Sequence, residues 1–186
     1  MNQNRSVLPT LVETAIMVAL AAVLSFIIIL KMPQGGEISA GSMIPIILLA
    51  LRRGPVWGII GGVLLSFVRI AIVPSGFYTP VQFLIDYPIA FGLLGLAGLV
   101  KAKLDQTAAL LGSLALVGRF LAHLVSGVVF FGTYAPAGQN VWVYSAIYNG
   151  SYMLPELVVT AVLMVILLPV LKKAIPTTLG TQRHSA

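Results

Sequence analysis

One stretch of this apolar chain, Gly118–Gly138, carries hydrogen-bonding and aromatic side chains at regular helical spacing. Successive members lie four, three, one, three and four residues apart, so one helix face holds Arg119, His123, Ser126, Gly127, Phe130 and Tyr134. The stretch is long and apolar enough to span a membrane, where such groups are costly unless they line a cavity or meet partner helices. The pattern therefore predicts a binding site inside a helix bundle.

Two further stretches carry polar stripes of the same kind. Gln82 and Asp86 lie four residues apart in QFLIDYPIAF. Near the C-terminal end, spacings of four, three and four residues join Ser145, Asn149, Tyr152 and Glu156. Pro155 removes a backbone hydrogen bond in that last helix, which predicts a bend. The three stripes can meet at one depth, because each lies near the same end of its predicted helix.

The chemistry of these stripes suits a small, flat, aromatic and cationic ligand. Aromatic rings stack on planar ligands and attract cations, and a desolvated carboxylate prefers a positive partner. The same residues can also serve as interhelical hydrogen bonds worth about 0.6 kcal/mol each. Arg119 and Glu156 can pair with each other or with another buried charge. For Asp86, His123 and Asn149 we favour the ligand.

Catalysis fits the sequence less well than binding does. His123 and Ser126 lie three residues apart, which raises the possibility of an intramembrane serine hydrolase. A nucleophile also needs a base and an oxyanion site, and the chain has no GxSxG motif. It has no carboxylates at metal-ligand spacing and no phosphate-binding loop. We therefore predict no enzymatic activity, cofactor or metal, and an energy supply from an ion gradient or a partner.

Composition places these stripes in a membrane protein. Hydrophobic residues make up 59% and charged residues 9% of the chain, and the mean hydropathy is +1.02. Soluble proteins carry about 25% charged residues. The absence of cysteine excludes disulfides and thiolate metal sites. We predict one all-α membrane domain, residues 1–186, with six transmembrane helices at about 8–30, 41–51, 55–73, 80–100, 107–131 and 144–171.

Basic residues in the short loops predict the orientation of the bundle. With six spans, one side receives Arg5, Arg52, Arg53, Lys101, Lys103, Lys172, Lys173 and Arg183. Both termini are therefore predicted to be cytoplasmic. The net charge of +6 is spread over these loops and forms no basic stripe, so we expect no nucleic-acid partner.

Two segments outside the polar stripes suggest motion and docking. The outward loop Gln34–Ser39 contains two glycines and Glu37, and we predict that it closes over bound ligand. In the first helix, Ala15 and Ala19 lie four residues apart. Small residues at this spacing let another helix approach closely in lipid. This face is our candidate for a partner surface.

Several segments resemble one known family in order and spacing. The segments MPQGGEIS, IPIILLALRRG, TPVQFLIDYPIAF, GRFLAHLVSGVVFF, YAPAG and YSAIYN are similar to the thiamine-specific substrate-binding subunit of energy-coupling factor (ECF) transporters, the ThiT or YuaJ family. The resemblance covers about Ala15 to Leu171. It implies a six-helix bundle in the bacterial cell membrane that binds thiamine from outside. It also implies docking on a transmembrane coupling protein and two cytoplasmic ATPases.

The resemblance also implies roles for individual residues. The expected thiamine-binding residues are Glu37, Tyr78, Asp86, Tyr87, His123, Gly127, Phe131, Tyr144 and Asn149, and the expected docking residues are Ala15 and Ala19. Three of these depart from the family pattern. Phe131 stands where some relatives have tryptophan, Asp86 where some have glutamate, and Glu37 where a small polar residue is common. The open alternatives are a related subunit for another flat vitamin and, from a different class, an intramembrane enzyme.

Overall fold

The computed structural model describes residues 4–33, 35–72, 79–100 and 104–174, with side chains between Val7 and Val170. Within this part of the chain the helical segments are α1 Asn4–Leu24, α2 Ile44–Arg53, α3 Pro55–Ile72, α4 Pro80–Leu99, α5 Gln106–Phe130 and α6 Val141–Ala174. An antiparallel hairpin, β1 Ile28–Lys31 and β2 Glu37–Ser39, connects α1 to α2.

The described residues contain five helices that are long and apolar enough to cross a membrane: α1, α3, α4, α5 and α6. The prediction of a helical, multi-pass membrane protein is confirmed at this level. The second helix, α2, has ten residues. At a rise of about 1.5 Å per residue it covers about half of the hydrocarbon core. Its membrane crossing therefore stays a prediction.

The first predicted helix was too long, and the fold is not purely helical. The helix α1 ends at Leu24 instead of near residue 30, and the run Ile28–Lys31 forms a strand paired with Glu37–Ser39. Isoleucine is β-branched and favours strands. Gly35 and Gly36 have φ values of 90° and 77°, which only glycine adopts readily, and they form the turn. The hairpin covers most of the predicted gating loop; Gln34 lies outside the described residues.

The helices α3 and α4 pack backbone against backbone through glycine. A Cβ atom at Gly62 would lie 2.1 Å from the Phe91 carbonyl oxygen, and one at Gly95 would lie 2.4 Å from the Ile59 nitrogen. Small residues permit such close approach between membrane helices. Beside them, α2 lies almost fully buried and supplies core side chains such as Ile46 and Leu49.

The helix α4 changes its winding in the middle. It is α-helical over Pro80–Leu84, π-helical over Ile85–Ile89, α-helical over Ala90–Gly92 and 3-10 helical over Leu93–Leu99. Pro88 has no N–H to donate to the carbonyl four residues earlier, and the Ala90 N–H instead donates to the Ile85 carbonyl, five residues back. Asp86 lies inside this π turn, so the turn determines where its carboxylate is placed.

The helix α5 has a break at Leu114 between Gln106–Ser113 and Ala115–Phe130, and it ends at Phe130. Gly132–Tyr134 then forms a 3-10 turn, and Tyr134 is exposed. The prediction that Tyr134 continues the helical face of His123 was therefore wrong. The backbone of Phe131 is no longer helical, and Gly132 and Pro136 follow it in the sequence. In contrast, α6 continues as one helix through Pro155.

A charged cluster ties α1 to α2 at the end of the bundle opposite the hairpin. Arg52 Nε and Arg53 Nε each donate to the Glu13 carboxylate at 2.6 Å. These side chains are mostly buried, which strengthens a pair relative to one in water. The cluster fixes the C-terminal end of α2 against the face of α1.

Candidate functional site

The centre of the candidate site is a contact between α4 and α5. His123 Nδ1 and Asp86 Oδ1 are 3.1 Å apart, and the two side chains are 13% and 15% exposed. With the proton on Nδ1, the imidazole donates to the carboxylate and holds it in place. The other imidazole nitrogen, Nε2, is buried and has no hydrogen-bond partner among the described residues. The site therefore presents an oriented carboxylate beside a free imidazole nitrogen.

The amide of Asn149 connects this pair to α6. Its Nδ2 donates to the His123 carbonyl oxygen at 3.2 Å and to the Ser145 carbonyl oxygen at 3.0 Å. Its Oδ1 accepts from the Tyr152 hydroxyl at 2.7 Å. These bonds leave the amide little freedom to rotate. They also place Asp86, His123 and Asn149 in one connected network, as their helical spacing predicted.

Gly127 allows α5 and α6 to approach at this network. A Cβ atom at this position would lie 2.2 Å from Ser145 Oγ and 3.0 Å from Asn149 Nδ2. Ser145 Oγ meanwhile donates to the Leu124 carbonyl oxygen at 2.8 Å. Any larger residue at position 127 would push the two helices apart. In this structure the glycine is needed for helix packing, and its contact with a ligand stays a prediction.

Tyrosine rings line the same end of α6. Tyr144 and Tyr148 are stacked, with ring centroids 6.1 Å apart and an interplanar angle of 27°. Tyr148 meets Tyr152 edge to face at 6.1 Å, and Tyr152 meets the His123 ring at 6.4 Å. On α4, Tyr87 stacks with Phe83 at 5.7 Å. Such flat surfaces beside a carboxylate suit a planar cation.

The hairpin turn rests on the tyrosines of α6. The Tyr148 hydroxyl donates to the Gly35 carbonyl oxygen at 3.0 Å. A Cβ atom at Gly36 would lie 2.7 Å from Tyr152 Cε1, so the turn approaches this ring as closely as glycine allows. Tyr152 thus contacts the hairpin with its ring and Asn149 with its hydroxyl. The hairpin and the polar network are one packed unit.

A buried carboxylate anchors the second strand of the hairpin. Glu156 accepts from the Ser39 backbone N–H at 2.7 Å and from the Ser39 hydroxyl at 2.8 Å. Arg119 instead lies with its guanidinium 4.5 Å from the centre of the Phe91 ring and donates to Met43 Sδ at 3.3 Å. Arg119 and Glu156 do not pair with each other in the structure, because each has other partners.

Comparison with known proteins decides the family. A family model described as "Thiamine transporter protein (Thia_YuaJ)" matches residues 11–176, most of the chain. The chain belongs to this thiamine transporter family. The resemblance seen in the sequence motifs is thereby confirmed.

Individual members of the family agree with this assignment. The chain is 40% identical to "Thiamine transporter ThiT" of Bacillus subtilis, over 90% of this chain and 93% of that protein. It is 37% identical to the protein of the same name from Lacticaseibacillus paracasei, over 90% of each. A solved structure of ThiT from Listeria monocytogenes superposes with a TM-score of 0.77 at 28% identity, covering 90% of this chain and 97% of that one.

The predicted thiamine-binding residues of this family member do not all lie together in the structure. Asp86, His123 and Asn149 form the polar network described above, with Tyr144 near it through its stack on Tyr148. Other predicted residues lie elsewhere. The Phe131 ring lies tilted against Tyr134, with centroids 6.2 Å apart, beyond the end of α5. Glu37 forms an ion pair with Arg69 of α3. Tyr78 lies outside the described residues.

Two further residues contribute to the candidate site, Tyr148 and Ser39. Tyr148 is not among the predicted residues, although its position four residues after Tyr144 is a helical signal. Ser39 gave no signal, because its partner Glu156 is 117 residues away in the chain.

The Ser39–Glu156 contact yields a testable expectation. Replacing Glu156 with glutamine removes the charge and one of the two accepting oxygens, because the amide nitrogen can only donate. We expect the hairpin anchor to weaken by about 2 kcal/mol. Hydrogen exchange followed by mass spectrometry should then show faster exchange across Glu37–Ser39. Exchange in α2 should not change and serves as the internal control. Unaltered exchange in both segments would mean that the carboxylate does not hold the strand.

Proposed function

We propose that this chain is the thiamine-binding subunit of an ECF-type vitamin importer. It captures thiamine in a pocket at the hairpin end of α4, α5 and α6 and delivers it through a separate energising module. The observation that carries the proposal is the partly buried Asp86–His123 pair, with Tyr152 against the imidazole, in a chain of the thiamine transporter family.

The chemistry of thiamine matches that arrangement. Thiamine has a flat aminopyrimidine ring with an exocyclic amino group and a cationic thiazolium ring. The Asp86 carboxylate would accept from the amino group or compensate the cation, and the free Nε2 of His123 offers a further polar contact. Tyr144 and Tyr148 would provide the flat surface against which a ring stacks.

Identification of the bound ligand tests the proposal most directly. The protein purified in detergent is denatured, and the released small molecules are identified by mass spectrometry. Thiamine is expected in the released fraction, and calorimetry on ligand-free protein should show saturable thiamine binding. A different flat vitamin in that fraction, with no thiamine binding, would support the alternative of a related subunit.

An intramembrane hydrolase has less support from the same residues. A serine nucleophile must lie within hydrogen-bond reach of its base. Ser126 Oγ and His123 Nε2 are both buried without a hydrogen-bond partner in the described part of the chain, so they are not bonded to each other. The contact that a Ser–His pair needs is not formed.

The proposed energising module consists of a transmembrane coupling protein and two cytoplasmic ATPases. The chain has no phosphate-binding loop of its own, so the energy would come from this module. Ala15 and Ala19 are both exposed on α1 and would form the docking face. In this proposal both termini lie in the cytoplasm and the hairpin faces the outside of the cell, which the basic residues of the short loops support.

We expect the hairpin to act as a gate for thiamine. Cysteines introduced at Pro33, beside the turn, and at Thr133, beyond the end of α5, would carry spin labels in a chain that has no native cysteine. Saturating thiamine should shorten and narrow the distance distribution between the two labels, because ligand favours the hairpin packed on Tyr148 and Tyr152.

A second pair of labels serves as the control for this experiment. Val81 and Val129 are exposed positions on α4 and α5, and their separation should not change with thiamine. Identical distributions for the Pro33–Thr133 pair with and without thiamine would make the hairpin a passive connector.

A further inference from the structure

A cleft lies at the hairpin end of the bundle, away from the polar network. Its lining comes from α1, the hairpin and α3, and consists of Ala22, Ser25, Phe26, Ile28, Lys31, Glu37, Arg69 and Ile72. One wall is apolar, and the other carries Lys31, Glu37 and Arg69. Of its lining residues only Glu37 is among the predicted thiamine-binding residues, and the proposed thiamine site gives the cleft itself no role.

The charged wall of the cleft carries a net positive charge. Arg69 forms an ion pair with Glu37 through Nη2, whereas its Nη1 is buried and has no hydrogen-bond partner among the described residues. Lys31 is exposed at the end of β1. Two cations therefore face one carboxylate. This excess of positive charge favours an anion in the cleft.

The position of the cleft in the bundle decides which anion fits. Both α1 and α3 end beside it, at Leu24 and Ile72, so it lies where membrane spans meet the headgroup region. Phe26 and Ile72 are exposed on its apolar wall. A free phosphate would satisfy the cations but leave this wall uncovered. A phospholipid offers both an anionic headgroup and an acyl chain.

We propose that the cleft binds an anionic phospholipid. The headgroup phosphate accepts from Lys31 and is attracted by the Arg69 guanidinium, and an acyl chain lies along Phe26 and Ile72. The net positive charge of the wall favours a lipid with net negative charge over a zwitterionic one. The lipid would thereby contact the arginine that pairs with Glu37 of the hairpin.

Native mass spectrometry of the whole chain tests this lipid site. The protein is extracted from equal amounts of phosphatidylglycerol and phosphatidylcholine, and the retained lipids are counted. One phosphatidylglycerol should be retained in preference to phosphatidylcholine. Lys31→Gln should lower that retention roughly fivefold, because one basic residue near an anionic surface contributes about 1 kcal/mol to binding. Lys31→Arg keeps the charge and should keep the retention. Equal retention of the two lipids by the unaltered chain would overturn the proposal.

A matched pair of acidic substitutions separates the cleft from a general charge effect. Ile72→Glu places a negative charge in the cleft, and Val129→Glu places the same charge at an exposed position near the end of α5. Only Ile72→Glu should abolish phosphatidylglycerol retention. Equal loss in both variants would refute the cleft. Displacement of the lipid by millimolar inorganic phosphate would also refute it, because it would indicate an anion site that needs no acyl chain.

Discussion

Replacement of Asp86 with asparagine is expected to weaken thiamine binding about tenfold or more, which corresponds to about 1.4 kcal/mol. Asparagine keeps the size of the side chain but removes the charge that would compensate a cationic ligand. It also removes the charged acceptor that orients His123, 3.1 Å away. Isothermal titration calorimetry on ligand-free protein in detergent measures the change directly.

A second aspartate provides the control for this experiment. Asp105 caps the start of α5, where its Oδ1 accepts from the Ala108 N–H, at the end of the bundle opposite the hairpin. Asparagine caps helices as well as aspartate does, so Asp105→Asn removes the same charge with little effect on folding. It should leave thiamine affinity unchanged. Equal affinity of the Asp86→Asn variant and the unaltered chain would exclude Asp86 from the binding pocket.

The membrane-spanning helices were predictable because each contains a long apolar run. In a membrane such a run must pair its own backbone N–H and C=O groups, and a helix does so. The hairpin was not predictable in the same way. The run Phe26–Leu30 is as hydrophobic as the helix before it, and a short apolar run can be helix or strand. The available signals were the three consecutive isoleucines and the glycine pair that follows. Hydropathy alone therefore extended α1 past its real end at Leu24.

The candidate site was predictable to the extent that helical spacing determines it. His123 and Asn149 each belong to a stripe on one helix, and the structure joins the two stripes through the His123 carbonyl. The contacts made by Arg119 were not predictable, because its partners Phe91 and Met43 are common core residues with no distinctive pattern. The π turn around Asp86 was also missed, although Pro88 is its visible cause.

Substitution of Ala15 or Ala19 with tryptophan is expected to abolish thiamine uptake by cells while leaving thiamine binding in detergent intact. Both alanines are exposed on α1, so a larger side chain has room in the isolated chain but blocks the close approach of another helix. The proposed binding residues Asp86, His123 and Asn149 lie on α4, α5 and α6, so a change on this face of α1 is not expected to disturb them. Uptake of labelled thiamine, co-purification with the ATPases and calorimetry give the three readouts.

The control for this prediction is Val158→Trp, which places the same bulk on an exposed position of α6. That variant should bind and transport thiamine normally, because only the α1 face is proposed to meet the partner. Loss of binding in the alanine variants would show that this face stabilises the bundle and is not a docking surface. If the purified chain alone drove uphill uptake into liposomes, no energising partner would be needed. The separation of binding from uptake in the α1 variants therefore distinguishes a binding subunit from a self-sufficient transporter.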